Sequence, residues 1–285
     1  MNKRSASLRK TGMALALAAL ALPALADPLT LAPELAGRFK AGTGVDAQFL
    51  KVQDGWQQSS VLWNEAAQQF GSGVPVSSHA WGTGLWGLAD WHTAHHAPMP
   101  GMIEDSWNGR VGQIAFGDAL YNAMHGARWG AVDLAPVFEG AGAPASQDNW
   151  TASFSGYIRI SEAGLYNFSV LHDDGFFFKL QGAGAPALEL SNDYLNSRDA
   201  LGFASNLQLG VGLYSFELGA YDRLEAGVVE LSWARNGGDF TRVPTSHLVA
   251  YGDVTPVPEP GTWAMLLTGL LALTSLAARR RSLRR

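Results

Sequence analysis

Residues 149–182, NWTASFSGYIRISEAGLYNFSVLHDDGFFFKLQG, alternate apolar and polar side chains in three successive runs. In the first, Phe154, Gly156, Ile158 and Ile160 share one face, and Ser153, Ser155, Tyr157 and Arg159 share the other. Glu162-Ala163-Gly164 interrupts the pattern, which resumes with Tyr166, Phe168 and Val170 against Asn167 and Ser169. Asp173-Asp174-Gly175 interrupts it again before Phe176, Phe178 and Leu180 alternate with Phe177 and Lys179. A period of two suits a strand with one face in a core and one in water, and rules out an amphipathic helix here. The stretch predicts an all-β fold built on a β-meander. Phe154, Ile158, Tyr166, Phe168, Phe176, Phe178, Phe216, Leu231 and Trp233 are expected to face inward across two sheets.

The order of these motifs, F-x-G-Y-I, then S-x-x-G-x-Y-x-F, then Asp-Asp-Gly, resembles the PA14 family. Downstream, Leu209 to Tyr214, Val229 to Trp233 and Val243 to Leu248 are similar to that family's later strands. The resemblance spans Ile114 to Asp253 and implies a PA14-like antiparallel β-sandwich over residues 114–253. PA14-like domains occur in toxins, glycosidases and adhesins and often bind carbohydrate. Residues 27–113 carry no such resemblance and are expected either to stand apart or to supply opening strands of the same sandwich.

Both ends of the chain look like addresses. Lys3, Arg4, Arg9 and Lys10 precede the apolar run Met13 to Leu22, and Ala24-Leu25-Ala26 supplies small residues for cleavage between Ala26 and Asp27. Residues 1–26 are therefore expected to be a signal peptide. At the other end, Pro258-Glu259-Pro260 precedes an apolar run from Thr262 to Ala278, closed by Arg279, Arg280, Arg281, Arg284 and Arg285. As a helix that run would be about 25 Å long, near the lower limit for crossing a bilayer with its arginines on the cytoplasmic side. A Pro-Glu-Pro, a short transmembrane helix and an Arg cluster resemble the PEP-CTERM sorting signal, here residues 256–285. A plain C-terminal anchor is the alternative. The resemblance implies export in a Gram-negative bacterium that makes exopolysaccharide. It also implies transient inner-membrane anchoring, processing by an exosortase-type enzyme, and release to the cell surface or extracellular matrix.

Charge narrows the partners. Residues 1–26 and 261–285 hold nine of the 20 Lys+Arg and none of the 25 Asp+Glu, so residues 27–260 carry a net charge of −14. Nucleic acid is not an expected partner, because phosphate contacts need clustered cations. The chain has no cysteine, which excludes disulfides, thiolate metal sites and Cys nucleophiles.

Seven of the ten tryptophans fall between Trp56 and Trp129, and Trp81, Trp86 and Trp91 stand five apart, a spacing that fits neither a strand face nor a helical stripe. They are expected in loops, as core plugs in preference to sugar-stacking rings. Val52 to Phe70 suits a short helix or strands around a turn. His92, His95 and His96, near His79, run straight into Ala97-Pro98-Met99-Pro100-Gly101, which favours a solvated loop over a helix or a metal centre. No nucleophile elbow or phosphate loop appears, so no catalytic residue is assigned.

Asp173 and Asp174 carry the chemistry. Adjacent side chains in a strand point to opposite faces, so neighbouring carboxylates ordinarily do not grip one cation; a cis peptide between them would turn both to one side. Fungal adhesins with PA14-like domains use an Asp-Asp pair this way, with sugar hydroxyls completing a calcium shell. The resemblance therefore implies calcium as cofactor, a glycan or exopolysaccharide as partner, and Asp173 and Asp174 as metal and carbohydrate ligands. Asp222, in the loop Tyr221 to Glu225, is the candidate for a second-loop contribution. The competing reading makes Asp-Asp-Gly a tight hairpin turn. The expected function is an exported carbohydrate-binding protein, followed by a purely structural matrix component, with a glycan-active enzyme third.

Overall fold

The computed structural model describes residues 28–56, 62–64, 69–70, 74–75, 84–124, 131–184, 187–193, 195, 200–257, 265, 267–271 and 273. The expected signal peptide with its Ala26–Asp27 junction, the Pro258-Glu259-Pro260 motif, the Arg cluster, and His79, Trp81 and Trp129 lie outside the described residues. Among the described residues no helix is long and apolar enough to cross a membrane.

Two sheets face each other. One is built from β1 (Leu29–Leu31), β8 (Ala115–Gly117), β9 (Asp133–Leu134), β11 (Gly164–Asp173), β14 (Ala200–Leu209), β16 (Val228–Arg235) and β17 (Thr241–Arg242). Its strand order is β1-β14-β11-β16-β8-β9, with β17 also on β16. The other is built from β2 (Leu35–Ala36), β3 (Val45–Val52), β7 (Ile103–Val111), β10 (Trp150–Ile160), β12 (Gly175–Gln181), β13 (Leu188–Asn192), β15 (Gly212–Asp222) and β18 (Leu248–Val249). Its order is β13-β12-β15-β10-β3-β7, with β18 on β10 and β2 on β15. Three short strands, β4 (Leu62–Asn64), β5 (Gln69–Phe70) and β6 (Val74–Pro75), form a small separate sheet, so the strands-around-a-turn alternative holds for this segment.

The fold is an all-β sandwich. Its two large sheets draw strands from before residue 113 (β1, β2, β3 and β7) as well as after it. The inner faces follow the alternation: Phe154, Ile158, Tyr166, Phe168, Phe176, Phe178, Phe216 and Leu231 are buried in the main core, and Trp233 packs against it half-buried. Phe168 of one sheet and Phe178 of the other meet with ring centroids 5.4 Å apart, joining the layers.

The meander expectation is corrected. β10, β11 and β12 follow one another in sequence, but β11 pairs with β14 and β16, whereas β10 and β12 both pair with β15. The chain crosses from one sheet to the other at each break. Asp173-Asp174-Gly175 is thus an arch over the end of the sandwich and not a hairpin turn. Alternation fixes which side chains face inward, and it is the same for an arch as for a hairpin.

The loop expected around His92 is also corrected. Helix α1 (Leu88–His96) lies on the outer face of the eight-stranded sheet. Pro98 and Pro100 follow the helix end, where proline terminates a helix without disrupting it. Trp91 lies within this helix and Trp86 just before it, and both are buried. The Trp91 indole N–H donates to Ala152 O at 2.9 Å. His95 is enclosed, its ring nitrogens 2.7 Å from Gln48 Oε1 and 2.9 Å from Thr151 Oγ1. A second helix, α2 (Ala119–Met124), follows β8.

Candidate functional site

The arch brings the predicted residues together. The Asp173–Asp174 peptide is cis. Asp173, at the end of β11, is in register with Val228 of β16; Asp222, at the end of β15, is in register with Trp150 of β10. Two strands of opposite sheets therefore end at the same mouth of the sandwich. Asp173, Asp174 and Asp222 each offer a carboxylate oxygen, and these oxygens all lie within 4.8 Å of one another.

Backbone hydrogen bonds fix the arch. Asp174 N–H donates to Tyr221 O at 2.8 Å, and Asp174 Oδ2 accepts from Arg223 N–H at 2.9 Å. The Asp174 carbonyl accepts from His172 Nδ1 at 2.8 Å. That contact makes Nδ1 the protonated nitrogen of a neutral ring, and burial holds His172 down to about 4. The ring packs on Phe176 at 4.3 Å between centroids.

Asp222 is fully buried, and among the described residues neither of its carboxylate oxygens has a hydrogen-bond partner. Its carboxyl is pushed well above the ordinary range, first by burial and then by the like charges of Asp174, Asp118, Asp173 and Asp148. An anionic carboxylate in such a place needs a cation. The donor set is all oxygen and acidic, which suits a hard divalent ion such as calcium. The residues present therefore fit calcium.

Sequence reasoning missed the residues that hold the Asp222 side of the site. The turn after Asp222 is clamped by Asp118, whose Oδ2 accepts from Gly227 N–H at 2.5 Å and whose Oδ1 accepts from Tyr121 N–H at 2.6 Å. Asp148 Oδ1 accepts from Glu225 N–H at 3.2 Å. Gly227 must be glycine: a Cβ there would stand 2.5 Å from Asp222 Cβ and 2.6 Å from Trp150 Nε1. Buried Lys51 reaches Asp54 at 2.5 Å beside the same mouth. The Arg223 guanidinium lies 4.1 Å from the centroid of Trp86. Asp118 stands just before α2 and Asp148 two residues before β10, with no motif around either that points to the turn after Asp222, so only the folded contacts reveal their part.

Comparison with known proteins places the fold and the tail. The PA14 domain family matches residues 132–185, which contain β10 to β12 and the Asp pair, and the PEP-CTERM protein-sorting motif matches residues 256–281. The chain thus carries a PA14-like domain and, at its C-terminal end, a PEP-CTERM sorting motif that marks it for export to the cell surface. No curated protein matches it. Among solved structures, it is similar to the epithelial adhesin 6 A domain from Candida glabrata in complex with Galb1-3GlcNAc, at 13% identity, 82% of this chain, 99% of that one and a TM-score of 0.44. It is similar to the PA14 sugar-binding domain from an RTX adhesin at 16% identity, 74% of this chain, 99% of that one and a TM-score of 0.43. It is also similar to an anti-sigma factor domain-containing protein from Clostridium clariflavum at 16% identity, 76% of this chain and a TM-score of 0.41. The chain spans about half the length of that protein and of another anti-sigma factor domain-containing protein that it matches, 52% and 51%.

Proposed function

We propose that the arch end of the sandwich binds the terminal sugar of a glycan through a calcium ion held by Asp173, Asp174 and Asp222, on a protein displayed outside the cell. The observation that carries the proposal is Asp222, a fully buried carboxylate without a hydrogen-bond partner among the described residues, aimed at two more carboxylates. The family match over the Asp pair supports it. Bound calcium supplies six to eight coordination positions, and vicinal sugar hydroxyls replace waters at those the protein leaves free. The chain's own part is to aim three carboxylates at one point, with the Asp174 N–H, the Arg223 N–H and the Asp118 clamp holding the arch and the turn in place.

Binding is the reading that the arrangement favours, because the three carboxylates each offer an oxygen within 4.8 Å of the others, which suits a shared cation. Export delivers the domain to glycan or exopolysaccharide, with an exosortase-type enzyme removing the tail near Pro258-Glu259-Pro260.

An array of mono- and disaccharides, probed with calcium and with a chelator, tests the reading. Calcium-dependent spots that vanish with chelator and with Asp173→Asn are expected. An array blank under both conditions would remove the terminal-sugar site and leave a structural matrix component.

A further inference from the structure

Three hollows adjoin along the outer face of the eight-stranded sheet, each sharing lining residues with the next, and together outline a trench. The first, about 500 Å³, is lined by Asp46, Gln48, Asn108, Ser153 and Ser155. The second, also about 500 Å³, shares Ser153 and Ser155 and adds Trp91, His92, Phe177 and Glu217. The third, about 230 Å³, shares Glu217 and continues to Lys179, Gln181 and Tyr251.

Strand register explains the continuity. Asn108, Gln48, Ser153, Gly219 and Phe177 are successive cross-strand partners over β7, β3, β10, β15 and β12. Arg110, Asp46, Ser155, Glu217 and Lys179 form the next row. The trench therefore runs across the strands. Four strand intervals make it about 19 Å long, room for several sugar rings in line.

Its depth comes from small floor residues between tall walls. On the arch side stands α1, whose Trp91 rests on bare Gly219; a Cβ there would come within 2.7 Å of the indole and 2.2 Å of Phe177. On the other side Tyr157 and Tyr251 pack edge to face at 4.9 Å.

We propose that this trench binds an uncharged, linear polysaccharide along its length, without calcium. The floor offers hydroxyls from Ser153 and Ser155, amides from Gln48 and Asn108, and the exposed Glu217 carboxylate, which together give and accept hydrogen bonds as sugar hydroxyls require. Half-buried Phe177 and exposed Tyr251 supply apolar ring surface along the trench for the C–H faces of a pyranose. Both cations along it are already paired, Arg110 with Asp46 at 3.8 Å and with Asp253, and Lys179 with Glu189 at 3.0 Å, and the Glu217 carboxylate adds negative charge that an anionic polymer would meet. A charged polymer would have to break those pairs. A peptide adding as a strand lies along an unpaired sheet edge, whereas the trench runs across the strands: β3, β10, β15 and β12 are paired on both sides, and its β7 end alone reaches an edge of this sheet. Ser155 lies five residues along β10 from Trp150, the partner of Asp222, or about 17 Å from the arch. The two sites are separate.

The test is calorimetric titration of chelator-treated protein with cello-, laminari- and manno-oligosaccharides of several units, and with alginate as the charged comparison. Wild type should bind at least one neutral series, more tightly as chain length grows. Ser155→Trp, which fills the floor, should weaken binding at least about tenfold. Glu217→Gln should weaken it severalfold with an unchanged melting temperature. Absence of binding to all three series, preference for alginate, or unchanged affinity in both Ser155→Trp and Glu217→Gln would each overturn the proposal. Because calcium is absent, this outcome is independent of whether the arch binds terminal sugars.

Discussion

Asp222 ends a row of inward-facing side chains on β15 whose other members are Tyr214, Phe216, Leu218 and Ala220. A carboxylate in the last place of an apolar row is costly unless it is protonated or paired with a cation. Its raised carboxyl sets the sign of the pH dependence. The stability it contributes to the metal-free protein is fully present below the ordinary Asp range and is lost as pH rises through the raised value. Stabilisation by calcium should therefore grow with pH, and thermal melts with and without chelator at acidic and neutral pH would show it. Asn in place of Asp222 removes the buried charge, so Asp222→Asn should melt higher than wild type in chelator and lose the calcium-induced rise. At this scale the sequence was partly informative. Asp173-Asp174-Gly175 stands in a recognisable motif, and Asp222 was reachable as a carboxylate of a nearby loop. The hydrogen bonds of Asp118 and Asp148 to the turn 223–227 were not, because they join positions 109 and 77 residues apart in sequence, respectively, and leave no local pattern.

Helix α1 carries two titratable groups of opposite effect, Asp90, which is buried, and His95, which is half-buried. Burial, with help from Asp193, pushes Asp90 up to about 7. Burial, with help from the charge of His96, pulls His95 down to about 3. Asp90 contributes stability that is lost as pH rises from about 3.8 through about 7; His95 contributes stability that is lost as pH falls from about 6.5 through about 3. The two dependences oppose each other over much of the same window, so each single variant should unmask the other. Asp90→Asn should leave a protein whose melting temperature falls on acidification more steeply than wild type, and His95→Gln one whose melting temperature falls more steeply as pH rises. Melting curves between acid and neutral pH check both. The helix was hidden in the sequence because its three histidines and the following prolines look like a loop. What makes it a helix is tertiary: Trp91 over Gly219, and His95 between Gln48 and Thr151.

Across the whole molecule, the two sheets are joined by aromatic contacts at the core and by the arch at one end. Phe168 is fully buried and touches Phe178 and Trp233, so Phe168→Ala should cost about 3–5 kcal/mol in denaturant unfolding. The change Lys179→Ala, on the outer face, should cost less than about 1 kcal/mol. The inward faces and the sandwich were legible, since a period of two is set by the strand itself. The pairing was not: Tyr166, Phe168 and Val170 show the same alternation whether β11 lies beside β12 or opposite it, and only the register with β14 and β16 decides. The same topology makes the site, because it carries Asp173 and Asp174 over the end of the sandwich to meet Asp222. Calorimetric titration of calcium into metal-free protein tests that account most directly. Wild type should take up one ion per chain at or below millimolar concentration, and Asp173→Asn and Asp222→Asn should each lose the heat of binding while remaining folded. No uptake by wild type at millimolar calcium, or equal uptake by both variants, would contradict it.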